Sequence, residues 1–150
     1  METVKKKLDF VKLYTHFTLL KERISGLEAE IKRVASPEAL VEIPSFYRLM
    51  AGIGTHKGWQ RVVFFMPYVK HKEGADSIGR QLAKGGISEM RLFQTIRSGS
   101  PNDIIQLRRL VQQVKPTVDW ENFGKTLYYW NYSDHNKRQL LEEYFLAQKK

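Results

Sequence analysis

The stretch Lys57-Gly58-Trp59-Gln60-Arg61-Val62-Val63-Phe64-Phe65-Met66-Pro67-Tyr68-Val69-Lys70 is where a strand reading and a helical reading of this chain part company. Its interior, 62–69, is an unbroken apolar run that would suit a core strand, but the whole segment is long for a strand and suits a helix buried on all sides. Read as helix over 57–70, it agrees with its neighbours. Before it, Val4, Leu8, Val11, Tyr14, Leu20 and Ile24 recur at intervals of three and four, which places them on one face of a long helix ending near Ser25-Gly26. A short helix over 27–34 follows. Prolines at first helical positions then mark two starts, Ser36-Pro37-Glu38 and Ile43-Pro44-Ser45, the second closed by Gly52 and Gly54.

After it, 71–77 is polar and contains Gly74. Helices are expected over 78–84, stopped by Gly85-Gly86, and from a Ser88 cap to Arg97. Ser100-Pro101-Asn102-Asp103 combines a cap, a proline and a first-turn acid, and opens a helix that Pro116 stops. Asp119 caps another through Trp130, and Ser133 a last one from Asp134 to about Gln148. The pattern predicts an all-α fold, a compact bundle of eight or nine helices with no convincing strand. It is read as a single domain over 1–150, with lobes 1–72 and 76–150 joined by a hinge near 71–77. Loose structure is expected only at 1–7 and 148–150.

The chain has 150 residues, long enough to bury a core of its own, with 42% hydrophobic and 12% aromatic content. It lacks cysteine, which excludes disulfides, thiolate metal sites and a cysteine nucleophile. Lys5, Lys6 and Lys7 are not followed by the apolar stretch of a signal peptide, and the eight-residue run 62–69 is far short of the ~20 residues that span a bilayer. A soluble, cytoplasmic protein without membrane attachment is expected. The net charge is +9, and residues 32–110 carry 13 Lys and Arg against 6 Asp and Glu, so most of the excess lies there. An excess of that size points to an anionic partner, set against the plainer reading of a solvated surface.

No chemistry emerges from the motifs. His16, His56, His71 and His135 stand far apart, with no pair at the spacing that presents two imidazoles to one metal. Gly52-Ile53-Gly54 and Gly85-Gly86 lack the Lys-Ser/Thr of a phosphate-cradling loop. Asp76, Glu89, Asp103, Asp119 and Glu121 fall at caps and first turns, where an acid serves the helix dipole. The expectation is a protein with no catalytic residues, cofactor or metal, and not an enzyme. What remains is arginine. On the helix from Pro101, Ile104, Leu107, Leu110, Val111 and Val114 form the core side, so Arg109 projects outward and Arg108 flanks the seam. On the preceding helix Leu92, Phe93 and Ile96 face inward, leaving Arg91 outward and Arg97 on the flank. Such guanidinium groups can each take a phosphate bidentately. Without a base-reading motif, backbone binding with little sequence preference is expected. Tyr128, Tyr129, Trp130 and Tyr132 are read chiefly as core rather than as stacking platforms.

Three stretches resemble the CasB family, the small subunit of the type I-E CRISPR surveillance complex Cascade. They are Ile31-Lys32-Arg33-Val34 with Ser36-Pro37-Glu38-Ala39-Leu40 and Ile43-Pro44-Ser45-Phe46-Tyr47-Arg48-Leu49; Ser77-Ile78-Gly79-Arg80 with Arg91-Leu92-Phe93-Gln94 and Ile96-Arg97; and Gln106-Leu107-Arg108-Arg109-Leu110 through Val118-Asp119-Trp120 to Gln139-Leu140-Leu141-Glu142. They span about 32–146 in the family's order, while the first helix matches only in character. The resemblance implies a two-lobed helical subunit, present as two copies beside the large subunit and the backbone subunits that hold the guide RNA. It also implies that basic faces support the target strand and the displaced strand, so partners would be single- and double-stranded DNA and, within the complex, guide RNA. By that resemblance the nucleic-acid-binding set is Lys32, Arg33, Arg48, Arg80, Arg91, Arg97, Arg108 and Arg109, with Arg33, Arg91, Arg108 and Arg109 foremost. The sequence departs from the family at Ser98-Gly99-Ser100 and over 131–136, which are less basic here. Two other readings stand beside it: a subunit docking on partner proteins alone, and a metal-dependent nuclease.

Overall fold

The computed structural model describes residues 8–148. Val4 and the expected loose ends 1–7 and 149–150 lie outside the described residues. The helical reading of the central apolar segment holds with one correction: α4 spans Lys57–Phe65 and a 3-10 turn takes over at Met66–Tyr68. Pro67 offers no N–H for an α-helical bond, so the helix tightens and stops. The chain then becomes extended, and Lys70–His71 forms a strand, β1, instead of a last helical turn. Gly58, Trp59, Gln60 and Val62 through Phe65 are all buried, so α4 has almost no outer face.

Around α4 stand α1 (Phe10–Arg23), α2 (Leu27–Arg33), a 3-10 turn at Pro37–Glu42 and α8 (Trp120–Tyr128), with α3 (Pro44–Met50) packed on α1, α2 and the 3-10 turn. The Asp9 carboxylate caps α1 by accepting from the Lys12 N–H at 2.9 Å, and Phe10, Leu13 and Phe17, spaced three and four, are its buried face. Pro37 opens a 3-10 turn rather than an α-helix, and the Ser36 hydroxyl makes no capping bond there. The remaining elements are α5 (Ile78–Lys84), α6 (Glu89–Arg97), α7 (Asn102–Val114), β2 (Thr117–Val118) and α9 (His135–Gln148). The fold is all-α; among the described residues its sheet is one parallel pair, Lys70 opposite Thr117 and His71 opposite Val118. Two residues per strand are too few to leave an alternating signature, which is why no strand was legible.

Close approach fixes two helix crossings. A methyl group on Gly79 of α5 would lie 2.5 Å from the Leu140 carbonyl oxygen of α9, and one on Gly124 of α8 would collide with the Phe10 ring of α1. The polar segment 71–77 is tied to the start of α8. Lys72 N–H donates to the Val118 carbonyl at 2.8 Å, Gly74 N–H to the Asp119 carboxylate at 3.0 Å, and Trp120 N–H to His71 Nδ1 at 3.0 Å.

Ser100 is not the cap of α7. Its peptide bond to Pro101 is cis, Pro101 takes the cap position, and the Asp103 N–H is met by the Gly99 carbonyl. Asp103 is in the first turn of α7, as expected, and is wholly buried there, where it accepts from Trp130 Nε1 at 2.9 Å and pairs with Lys137 at 3.1 Å. Trp130 itself lies beyond α8, which ends two residues earlier than expected, and α9 begins at His135 with Ser133 Oγ accepting its N–H.

Candidate nucleic-acid interface

The C-terminus of α2 leaves backbone carbonyls that need donors, and cations fill that role well because the helix dipole is negative there. The Tyr68 hydroxyl donates to the Lys32 carbonyl at 3.3 Å, and Arg108 Nη2 donates to the Val34 carbonyl at 3.0 Å. The Arg108 guanidinium lies flat enough on the core for its Cζ to stand 3.8 Å from the Phe64 ring centre and 5.4 Å from that of Tyr68. Lys32 Nζ approaches the same Tyr68 ring at 5.7 Å. Burial pushes the Arg108 pKa down, with Arg109 adding to the effect and Tyr68 opposing it. Its Nε and Nη1 have no hydrogen-bond partner among the described residues. Arg108 therefore does not flank the seam as a free cation. It is half-buried and welds α7 to α2 and α4.

Arg109, one position on, is exposed. One helical turn further along α7 is Gln113, whose Oε1 accepts from Arg91 Nη1 at 2.6 Å. Arg91 is held at the start of α6 because Ser88 caps that helix through the Arg91 N–H. A line of neighbours results: Lys32 at the end of α2 over Tyr68 and Arg108, Arg109 next to Arg108 on α7, and Arg91 across Gln113, with Arg33 next to Lys32 in the chain. Lys32, Arg33, Arg91 and Arg109 are exposed and make no ion pair among the described residues.

The other expected residues sit elsewhere. Arg48 is exposed in the last turn of α3. Arg80 pairs with Asp76 at 2.8 Å, and Lys84 joins the same carboxylate at 3.1 Å. Burial would raise the Asp76 pKa, but the Lys84 hydrogen bond and both cations outweigh it and hold it low. Arg97 lies over the Phe93 ring at 5.1 Å. Among the described residues no hydrogen bond, ion pair or ring contact joins these three to the line through Arg109.

Arg61 went unsingled in the sequence. Its Nε and Nη2 donate to the Leu127 and Tyr128 carbonyls, both at 2.6 Å, closing the C-terminus of α8, and burial lowers its pKa. Nothing in the sequence marks it, because its partners are backbone atoms far along the chain. Of the aromatic run, Trp130 is core, Tyr128 is half-buried against His56, and Tyr129 and Tyr132 are exposed. Among the described residues no three acidic or histidine side chains converge as a metal site, and no helix is long and apolar enough to cross a membrane.

A family model described as CRISPR-associated protein Cse2 matches residues 9–145, from the cap of α1 to the far end of α9. The chain belongs to the Cse2 family. The match takes in α1, where the residue-level resemblance to that family was weakest. Within the Cse2 family's relatives, the chain is 34% identical to the CRISPR system Cascade subunit CasB of Escherichia coli (strain K12), over 84% of this chain and 88% of that protein. A chain in a crystal structure of E. coli Cascade bound to a PAM-containing double-stranded DNA target is similar in fold, with a TM-score of 0.85 and 34% identity. The superposition covers 95% of this chain and 97% of that one.

Proposed function

We propose that this Cse2-family chain is a non-catalytic subunit of a type I-E Cascade complex that holds nucleic-acid backbone and so stabilises the R-loop formed on target DNA. The observation that carries the reading is the line of exposed cations Lys32, Arg33, Arg109 and Arg91, drawn from three helices and without an ion pair among the described residues. Guanidinium groups without acidic partners are free to take phosphates, and an array spread over several elements suits a backbone better than it suits base edges. Guide pairing reads sequence in such complexes, which leaves the protein to grip charge. The target strand, the displaced strand and the guide RNA are the anionic partners in this reading, and the large subunit, the backbone subunits and a second copy of the chain are the protein partners.

The test is salt dependence. If about 6 phosphates are neutralised, binding of the purified chain to duplex DNA falls with salt at a log–log slope of about −5. Arg91→Ala with Arg109→Ala makes that slope shallower by about 1.8. Arg108 is left in place, since removing it would loosen α7. Unchanged slope in the double variant would remove the line from the interface. A chain that binds no nucleic acid alone, yet joins its partner subunits, would favour docking on proteins only. Exposed Met90 and Leu146 are the apolar surface such docking would use.

A further inference from the structure

A groove of about 630 Å³ opens beside the basic line, between α1 with the start of α2, the 3-10 turn that precedes β1 and the C-terminus of α7. Lys21, Lys70 and Lys115 line it, and its one acid, Glu28, is already bonded to Lys21 at 3.4 Å. Lys70 and Lys115 are exposed and make no ion pair among the described residues. Three aromatic rings, Tyr14, Phe17 and Tyr68, also line it. Tyr14 is held by stacking on Trp120 at 6.0 Å and 21°. Tyr68 belongs both to the groove and to the cation cluster of Lys32 and Arg108.

We infer that this groove takes one or two unpaired nucleotides of a strand running along the basic line, with a base against Tyr68 and phosphate on Lys70 and Lys115. This rests on the proposed function and names the substrate class of the adjoining surface. The volume falls within the range of small-molecule sites and exceeds what a lone phosphate fills. Aromatic rings with a cationic rim are what single strands use when no base is preferred. A duplex offers its bases no freedom to leave the stack, so the groove selects unpaired positions. Gln112, at the rim, adds an amide that can meet any base edge without fixing its identity.

Lys115 supplies an unusual control. It is the one non-glycine residue with positive φ among the described residues, at φ 54° and ψ 57°, a conformation glycine adopts without steric cost. Lys115→Gly therefore removes the charge while leaving the fold as stable or more so. The full chain, isotope-labelled, is titrated with tetrathymidylate, and binding to a duplex is measured in parallel. The parent binds tetrathymidylate with amide shifts centred on 66–70 and 112–117. Lys70→Ala with Lys115→Gly weakens it at least about fivefold and makes its salt slope shallower by about 1.4, while duplex affinity falls much less. Tyr68→Leu weakens the tetranucleotide and leaves the salt slope unchanged. Equal tetranucleotide affinity in the lysine variant overturns the inference, as does equally good competition by inorganic phosphate or by a polyglutamate peptide. Should the parent bind duplex but not the tetranucleotide, the groove alone is refuted. Binding of neither refutes the proposed function as well.

Discussion

Asp103 and Lys137 show how a single charge can be committed to the fold. The carboxylate has no exposed surface, and Trp130 Nε1, the Ile104 N–H and Lys137 supply its donors, with 21% of the lysine side chain still in water. Replacing Lys137 by methionine strands a buried charge. The expected loss is about 3 kcal/mol in urea unfolding, at the low end for breaking a buried pair because Lys137 is partly solvated. Glu143 is the opposite case, a carboxyl that burial holds above its ordinary range. Asp76 adds to that, and donors from Gly79, Ser77 and Gln139 oppose it. A carboxyl raised in the folded state stabilises while protonated. Its contribution is complete below the unfolded pKa and is lost as pH rises through the folded one. Glu143→Gln should thus raise the urea midpoint at neutral pH, and the gain should shrink below about pH 4. Neither burial was legible in the sequence, where Asp103 has the spacing of a first-turn acid and Glu143 stands beside Glu142 like any paired surface acid of a helix. Burial of an acid is decided by what packs over it from elsewhere in the chain.

At the scale of elements, helix after helix was legible because each carries its own period and stop signals. Ser88 and Asp119 cap where expected and Ser77 caps α5 as well, with their side chains accepting from the Arg91, Glu121 and Arg80 N–H groups. What failed locally was proline: Pro37 gave a 3-10 turn, Pro67 ended α4 early and Pro101 displaced the cap of α7. The junction of α5 and α9 makes a sharp prediction. A Gly79→Ala methyl meets the Leu140 carbonyl oxygen, which is backbone and cannot swing away, as well as the Glu143 Cβ. Helix propensity would favour alanine by about 1 kcal/mol, and overpacking of this kind costs about 1–3 kcal/mol, with a backbone atom as the obstacle placing it at the high end. Thermal unfolding of Gly79→Ala should show a net loss.

For the whole molecule, the concentration of charge in the middle of the chain was legible, and the structure converts part of it into a surface. Of the eight cations expected to bind, Lys32, Arg33, Arg91, Arg108 and Arg109 come together, while Arg48, Arg80 and Arg97 stand apart. Helical periodicity shows which residues point outward from one helix. It says nothing about which outward faces become neighbours, and so the bridge from Arg91 through Gln113 could not be read, whereas Arg80 and Asp76 already have the i, i+4 spacing of a local ion pair. The salt slope of DNA binding is the matching prediction at this scale, since it counts phosphates over the entire surface rather than at one residue. The β1–β2 pair, small as it is, also sets an order of events during biosynthesis. It joins points separated by on the order of 50 residues, a closure that costs about 3 kcal/mol of chain entropy before any rung forms. As the chain leaves the ribosome, the Val69 carbonyl and His71 Nδ1 wait for the two donors of Trp120. The N-terminal helices cannot seal their core until α5, α6 and α7 have been made, and a nascent chain halted before residue 117 would present that unsealed seam to chaperones.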